Sequence, residues 1–361
     1  MDLKKLQFCF KTGSILALTP PTLASFKPTI LQRLYIILVF SLFTAVVLWS
    51  KIQEMNFYTR YNYIQFILHL MVDLNLYLHT CYPLVLLLTT KRKQWFKLVN
   101  GLSRIDRFAT KNTNNLTFVI ALVVFCVASV LTCAAWLHFF GWNIFKMYIV
   151  EHFQVYSEFF YMALACTVLN MMLERYKVQS CLLRDQIKCR KRNDVVKLLK
   201  QIKFNVFMLK QAVDAFNEIF GWVILLNIFY GCTRSLPFLY NLVKGQNLWS
   251  EYSFGIGLVL SLSKHCSIFS YCIGICWTIL LCDTVLKEFE LLVDLSQQFE
   301  TSLSDLVLYK SNDFNFAAAI LHNQPEFNAA RFFCIDRSTI FSILNSMITF
   351  LLVLIQLQFG A

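Results

Sequence analysis

The chain has 361 residues, of which 57% are hydrophobic and only 15% are charged. No soluble domain covers that much apolar surface, so the composition predicts an all-α, polytopic membrane protein. The net charge of +12 does not indicate nucleic-acid binding, because the basic residues lie between apolar runs, where Lys and Arg record membrane orientation.

The cysteines and the N-terminal region exclude further classes. Most of the 13 cysteines lie in apolar runs, where they act as small hydrophobic side chains. No Cys-x-x-Cys pair or His/Cys spacing typical of zinc occurs, so no metal or other cofactor is expected. Lys11 and Pro20-Pro21 interrupt the first apolar run, so we expect no cleaved signal peptide.

Seven apolar segments are long enough to cross a bilayer as helices. In chain order, the predicted spans are residues 34–50, 61–90, 116–141, 147–172, 219–242, 252–281 and 338–361. Residues 1–33 precede the first span. The second span is long enough to be tilted. The chain shows no internal repeat and no separate soluble domain.

The segments between the spans alternate in charge. Those before span one and after spans two, four and six hold 27 Lys and Arg, the opposite side holds five, and Lys264 lies within a span. Because basic segments stay in the cytoplasm, we expect a plasma-membrane protein with a cytoplasmic N terminus and an extracellular C terminus. The sequon Asn115-Leu116-Thr117 then borders the cytoplasm and should carry no glycan.

Two cytoplasmic segments, residues 173–217 and 282–337, are too long to be simple loops. The second begins with one apolar helical face formed by Val285, Phe289, Leu292, Leu295 and Phe299. We expect spans four to six to continue into these segments as anchor helices that pack together below the membrane. The first segment is basic and the second acidic, which favours docking between them, unless both faces simply contact solvent.

The segment that precedes the last span is predicted to change conformation. Residues 310–325 have the composition of a turn or mobile loop, rich in Ser, Asn and Asp. A new helix is expected to begin near Pro325 and to lead into the last span.

The last span, residues 338–361, carries a polar stripe. At 100° per residue, five polar side chains fall within roughly 60° of one another, namely Ser338, Ser342, Asn345, Thr349 and Gln356. Val353 lies beside the stripe. A membrane helix collects polar groups on one line where that line meets another helix or water. The stripe therefore indicates either hydrogen bonding between helices or a helix that lines a pore.

Polar and ionisable residues also occur in the outer halves of spans two to six, where they are costly. They are His69, Asp73, Trp136, His138, Glu158, Arg234, Lys264 and His265. On one interpretation, the acids pair with Arg234 or Lys264 in a structural role. On the other, these residues belong to a partly hydrated ligand pocket. His79, lower in span two, is expected to be a satisfied core residue.

Two motifs near the C terminus resemble those of a known family. Residues 349–357 read Thr-Phe-Leu-Leu-Val-Leu-Ile-Gln-Leu. They resemble the Thr-Tyr, five hydrophobic residues and Gln-Phe in the last span of insect gustatory receptors, with Phe350 and Leu357 as conservative departures. Upstream, residues 327–338 are similar to the family's run of Phe, Ala, Gly, Phe, Phe and an acidic position, with Arg331 where glycine is usual.

The resemblance implies a ligand-gated, non-selective cation channel similar to the related odorant receptors. In that family four subunits surround one pore, and each contributes its last span. This chain would then form a tetramer with itself or with related receptors and respond to a small-molecule tastant. The resemblance places Gln356 in the pore, with Asn345 and Thr349 on the same stripe, and Val353 in a hydrophobic gate that excludes ions by dewetting.

Other function classes fit the sequence less well. No nucleophile, metal-binding or phosphate-binding motif of an enzyme occurs. A receptor coupled to G proteins needs an extracellular N terminus, and the Glu174-Arg175-Tyr176 signature here follows span four. A secondary transporter predicts inverted repeats and Gly/Pro-broken spans, which the chain lacks.

Overall fold

The computed structural model describes residues 2–15, 17–20, 29–58, 63–88, 92–105, 116–189, 195–243, 254–304 and 315–359. These residues form an all-α architecture, as predicted, with one two-stranded hairpin. The helices are α1 (Asp2–Ile15), α2 (Ile30–Tyr58), α3 (Tyr63–Leu88), α4 (Arg92–Ile105), α5 (Leu116–Cys189), α6 (Val195–Val243), α7 (Phe254–Ser304), α8 (Phe316–Leu321) and α9 (Arg337–Phe359), and the strands are β1 (Asn328–Ala329) and β2 (Phe333–Cys334).

Helix α5 joins two of the predicted spans. Residues 142–146, expected to connect spans three and four, are helical, and the one non-helical position inside α5 is Gly141, with φ 74° and ψ 177°. Glycine reaches this positive φ without the steric cost that a Cβ would impose. The chain therefore changes direction at a single residue. Asn115 of the sequon lies outside the described residues.

Helices α5, α6 and α7 extend well beyond the predicted spans and pack on one another. At the end where α5 finishes and α6 begins, Asn205 Nδ2 donates to Gln179 Oε1 at 3.0 Å. On the same stretch of α5, the ring of Tyr176 meets that of Phe289 of α7 edge-on, with centroids 6.0 Å apart. The three extensions thus form one helical bundle.

No helix is predicted between spans two and three, but α4 occupies residues 92–105. Its apolar residues recur at helical spacing and pack against α6. Trp95 is fully buried, and its ring meets Phe10 of α1 and Phe220 of α6 edge-on at 5.2 and 5.4 Å. The sequence analysis treated this segment as a basic connection between two spans, and its apolar helical face was therefore missed.

The segment before α9 differs from the prediction. The prediction that a helix begins near Pro325 is wrong. Strands β1 and β2 pair antiparallel in that segment, and α9 begins only at Arg337. Within the stretch predicted to be a turn or loop, α8 forms a short helix that buries Phe316 and Ile320. Residues 305–314 lie outside the described residues.

Apolar side chains cover the outside of the bundle as well as its core. Helix α2 exposes a long series of them, including Leu34, Leu38 and Leu42 at 58%, 63% and 64%. Among the described residues, the stretches long and apolar enough to cross a membrane are Ile30–Met55, Val150–Ile187 and Val195–Leu236, with a shorter apolar stretch at Arg337–Val353. A hydrocarbon environment accounts for such exposure, which water would penalise.

Candidate functional site: the last helix and the polar interior

The start of α9 is fixed by a reciprocal cap. Asp336 Oδ1 accepts hydrogen bonds from Thr339 N at 3.1 Å and from Ser338 Oγ at 2.6 Å, while Asp336 N donates to Thr339 Oγ1 at 3.2 Å. This is the arrangement of a capping box, with Asp336 as the N-cap and Thr339 at position N3. The bond from Ser338, the largest cause, together with those from Thr339, lowers the pKa of the Asp336 carboxyl. The cap sets both the start and the axis of the helix.

One face of α9 packs against the rest of the chain. Ile340 and Ile343 contact the main core, and Leu351 packs against Leu68 of α3 and Leu236 of α6. Met347 and Ile355, on the same face, are half-buried. At 100° per residue, this packed face points about 170° away from the centre of the polar stripe. The stripe is therefore on the opposite side of the helix from the protein.

The predicted pore residues all lie on that outward side. Asn345, Thr349 and Gln356 are exposed, and Val353, beside the stripe, is 45% exposed. Within the described residues no hydrogen bond reaches the side-chain amide of Asn345 or Gln356. Thr349 Oγ1, in contrast, donates to the carbonyl of Asn345 at 2.9 Å. Asn345 and Gln356 therefore carry exposed amides that have no hydrogen-bond partner among the described residues.

The hairpin connects α9 to α6. Asn217 Nδ2 of α6 donates to the carbonyl of Glu326 at 2.6 Å, and Asn217 Oδ1 accepts from Asn328 N at 3.2 Å. Arg331 pairs with Glu218 at 2.6 Å. These contacts link this part of α6 directly to the segment that leads into α9.

A second polar region lies among α2, α3, α5 and α6. Lys51 Nζ contacts Asp73 Oδ1 at 2.8 Å and Glu54 Oε2 at 2.7 Å. Arg234 pairs with Glu151 Oε1 at 3.0 Å. Among the described contacts, Asp73 pairs with Lys51 and Arg234 with Glu151, so neither Asp73 nor Glu158 forms the expected pair with Arg234. Pairing of these acids with Lys264, the other form of that interpretation, involves a side chain outside the described residues. Lys51 and Glu54 lie just beyond the first predicted span and Glu151 lies near the start of the fourth, and none of the three was among the predicted pocket residues.

Deeper in the bundle, several polar side chains are completely buried. Glu158 is 0% exposed, and neither of its oxygens has a hydrogen-bond partner in the described part of the chain. Tyr271 lies against it, yet the Tyr271 hydroxyl donates to Asn227 Oδ1 at 2.8 Å. His79 is buried, as expected, but both of its ring nitrogens lack hydrogen bonds among the described residues. His79 is therefore a core residue, with Asn227 beside it, but no hydrogen bond of standard geometry reaches its ring from the described residues.

A small cavity lies among α5, α6 and α7. Tyr230 and Arg234 of α6 and Tyr271 of α7 contribute to its wall, together with Val155, Gly231, Ser235, Ile268 and Cys272. It offers about 10 Å³ to the centre of a water-sized sphere, roughly the room for one water molecule. The cavity brings polar groups of α6 and α7 together, which the sequence order alone did not show.

The remaining predicted pocket residues are less informative. His69 is half-buried, and His138 is exposed. The side chains of Trp136, Lys264 and His265 lie outside the described residues. Of the predicted set, the structure brings together Asp73, Glu158 and Arg234, which all lie close enough to Tyr230 to act on it electrostatically.

Two comparisons relate this chain to known proteins. A family model described as "7tm Chemosensory receptor" matches residues 6–359. Among solved structures, the insect olfactory receptor OR5 from Machilis hrabei is similar, with a TM-score of 0.66 over 98% of this chain and 97% of that chain, at 13% sequence identity. At that identity the likeness concerns the fold. No curated protein matches the chain.

Proposed function

Because the chain belongs to the 7tm chemosensory receptor family, we propose that it is a gustatory receptor that acts as a ligand-gated, non-selective cation channel. The single observation that carries the channel proposal is the direction of the polar stripe on α9. The stripe lies opposite the packed face, and its two amides have no partner within the described chain. In a bilayer such groups need water or a neighbouring subunit.

A pore formed by several copies of α9 satisfies this requirement. The 23 residues of α9 extend about 35 Å at 1.5 Å per residue, enough to cross the ~30 Å hydrocarbon core. Around a central axis, Asn345, Thr349 and Gln356 of each copy would contact permeating ions. Val353 would narrow the pore and exclude water in the closed state. The family resemblance supports four copies, from this chain alone or with related receptors.

The proposed topology follows from the charge distribution. The basic segments lie on the cytoplasmic side of the plasma membrane, which leaves the N terminus inside and the C terminus outside. Residues 173–217 and 282–337 then belong to the cytoplasmic anchor, and residues 34–281 carry the first six spans. The helical contact between Asn205 and Gln179 supports tight packing in this anchor.

The ligand is proposed to bind in the polar interior between α3, α5, α6 and α7. The buried Glu158, the neighbouring Tyr271 and the paired Arg234 supply specific polar contacts within apolar walls, as in small-molecule sites generally. His69, Asp73, Trp136, His138 and Lys264 complete the predicted set. A small-molecule tastant that expands this region would press on α6, which contacts α9 directly and through the hairpin.

The test is expression in cultured cells, alone and together with related receptors, with epitope tags at both ends and whole-cell recording during application of a chemical panel. We expect a cation current that persists when G-protein signalling is blocked, and a tag that is accessible outside the cell only at the C terminus. A response that requires G proteins, with an accessible N-terminal tag, contradicts the proposal and favours a G-protein-coupled receptor. Uptake of substrate without channel current would favour a transporter instead.

A further inference from the structure

The hydroxyl of Tyr271 has two acceptors within reach. In the structure it donates to Asn227 Oδ1 at 2.8 Å. The carboxyl of Glu158 also lies against this hydroxyl, yet neither of its oxygens accepts a hydrogen bond within the described residues. A phenol carries a single O–H donor, so Tyr271 cannot serve both acceptors at once.

The arrangement in the structure leaves two buried groups unsatisfied. Glu158 is 0% exposed, and burying a carboxyl group without hydrogen bonds costs free energy. His79 is equally buried, and neither of its ring nitrogens has a hydrogen bond among the described residues, although Asn227 lies beside it. The bond between Tyr271 and Asn227 thus excludes partners for both Glu158 and His79.

A second arrangement of the same side chains satisfies both groups. When the Tyr271 hydroxyl turns to Glu158, the carboxyl gains a hydrogen bond and Asn227 is released. The amide of Asn227 offers both a donor and an acceptor, so it can bond to a ring nitrogen of His79. The four side chains come from four different helices, namely His79 from α3, Glu158 from α5, Asn227 from α6 and Tyr271 from α7. The choice of acceptor therefore decides whether α7 is tied to α6 or to α5.

The position of the Tyr271 ring selects between the two arrangements. The ring packs edge-on against that of Tyr230, with centroids 4.9 Å apart at an interplanar angle of 76°. Both residues line the small cavity between α5, α6 and α7, which has room for about one water molecule. A larger occupant needs the ring to move, and the hydroxyl moves with the ring because the side chain beyond Cβ is rigid.

We propose that Tyr271 is a switch with two positions. With the cavity closed its hydroxyl binds Asn227, and a ligand that fills the cavity moves the hydroxyl to Glu158. The change releases α6 from α7, and α6 holds the hairpin before α9 through Asn217 and Glu218. The inference rests on the proposed function, since it takes the occupant of the cavity to be the ligand that opens the channel.

Gly231 allows a test that needs no ligand, because it lies in the wall of the cavity. A Cβ on Gly231 would be 3.8 and 3.9 Å from Cδ1 and Cε1 of Tyr271, which are ordinary contacts, and 2.8 Å from Cδ1 of Ile275, the end of a flexible side chain. Gly231→Ala should therefore leave the Tyr271 ring in place. Gly231→Val adds two methyl groups beyond that Cβ and should displace the ring, as an occupant would. Both variants displace Ile275, so alanine is the matched control.

The measurement is thermal unfolding of the purified full-length protein in detergent, arranged as double-mutant cycles. In the Gly231→Ala background, Tyr271→Phe and Asn227→Ala remove the same hydrogen bond. Their combined shift should be smaller than the sum of the separate shifts by at least about 2 °C, as for one hydrogen bond in a protein of this size. Tyr271→Phe and Glu158→Leu should be additive there. In the Gly231→Val background the two results should be exchanged.

The cycles also define what would overturn the switch. Coupling of Tyr271 to Asn227 that persists in the valine background would do so, as would equal coupling to Glu158 in both backgrounds. If the triple variants do not fold, Glu158→Leu alone decides. It should lower the unfolding temperature by at least about 2 °C more in the valine background than in the alanine background, and equal shifts would overturn the switch.

These measurements do not depend on conduction, so they are separate from the channel proposal. An exchange of coupling partners in a protein that carries no current would leave the switch standing and contradict the channel. A ligand-evoked cation current without that exchange would support the channel and overturn the switch.

Discussion

Gly221 of α6 lies directly against Ala330 at the turn of the hairpin. A Cβ placed on Gly221 would be 2.8 Å from Ala330 N and 3.2 Å from the carbonyl oxygen of Asn328. Both contacts are with backbone atoms, which cannot rotate away as the end of a side chain does. The absence of a side chain at Gly221 is therefore what allows the hairpin to lie on α6 and to connect that helix with α9.

Gly221→Ala should separate the hairpin from α6. We expect a loss of roughly 1–3 kcal/mol in stability, as for other overpacked sites, seen as a lower unfolding temperature of the purified protein. Gly101→Ala on α4 is the control, because its Cβ would meet Met208 O and Ala212 Cβ at 3.5 and 3.6 Å, which are ordinary contacts. That variant should be neutral or gain up to about 1 kcal/mol from helix propensity. Equal behaviour of the two variants would contradict the tight contact.

Arg331→Gly should stabilise the hairpin. Ala330 and Arg331 both have positive φ, 52° and 67°, and Phe332 N donates to the carbonyl of Ala329 at 2.9 Å, as in a type I′ turn. A side chain in this conformation costs roughly 1–2 kcal/mol. The lost pair with Glu218 is worth less, because the Arg331 side chain is 82% exposed.

The comparison with Arg331→Ala separates the two effects, since alanine loses the ion pair but keeps the Cβ. Thermal unfolding should rank the glycine variant above wild type and the alanine variant below the glycine variant. A glycine variant that is less stable than the alanine variant would show that backbone strain at this position is small.

Asp336→Ala should loosen the start of α9. Loss of the cap costs about 1 kcal/mol, and hydrogen exchange at the backbone of Thr339 should increase. Because the folded-state pKa of Asp336 lies below its ordinary value of 3.8, its charge stabilises the fold above that pH. This contribution is lost as the pH falls through the lowered folded-state pKa. Asp336→Asn keeps the acceptor oxygen and should retain most of the cap. Hydrogen exchange at Thr339 that is as fast in this variant as in the alanine variant would contradict the role of the acceptor oxygen in the cap.

Exchanging the two charges of the Glu151–Arg234 ion pair should cost less stability than reversing only the charge of Arg234. The two side chains are 20% and 25% exposed, so Arg234→Glu alone places two acids together and should lower stability by roughly 1–3 kcal/mol. The double variant Glu151→Arg with Arg234→Glu restores opposite charges and should recover at least half of that loss in thermal unfolding. No recovery would mean that the pair contributes through packing and not through charge.

Gln356→Arg should abolish or sharply reduce cation current while expression at the cell surface, measured by biotinylation, is retained. A ring of positive charge at a pore constriction repels cations. Gln356→Asn, which keeps the amide, is the matched control and should conduct. Unchanged current and selectivity in the arginine variant would remove Gln356 from the conduction path.

Cysteine substitution can distinguish the two faces of α9. Thr349→Cys lies on the polar stripe, and Met347→Cys lies on the packed face. A permeant thiol reagent should modify the current of the first variant at least about tenfold faster than that of the second. Equal rates would indicate that the stripe does not face the aqueous pathway.

The sequence by itself determined the all-α class and the polar stripe of α9, because both depend on local patterns. A run of apolar residues reports a membrane helix without knowledge of its neighbours, and the positions of Asn345, Thr349 and Gln356 follow from the 3.6-residue period alone. Helix α4 was missed although its apolar positions have the same period, because its Lys and Arg residues suggested a connecting loop.

Only the tertiary structure decided which groups meet. Two contacts join residues that are distant in the chain, namely Lys51 with Asp73 and Gly221 with Ala330. The packing of the helices also leaves both oxygens of Glu158 without a hydrogen bond from the described residues. The hairpin also depends on positive φ at Arg331, where the residue type gave no such indication. Local periodicity fixes which face a side chain occupies. Its partner depends on how the helices pack, because the short range of hydrogen bonds and ion pairs makes a shift of a few ångströms enough to exchange one partner for another.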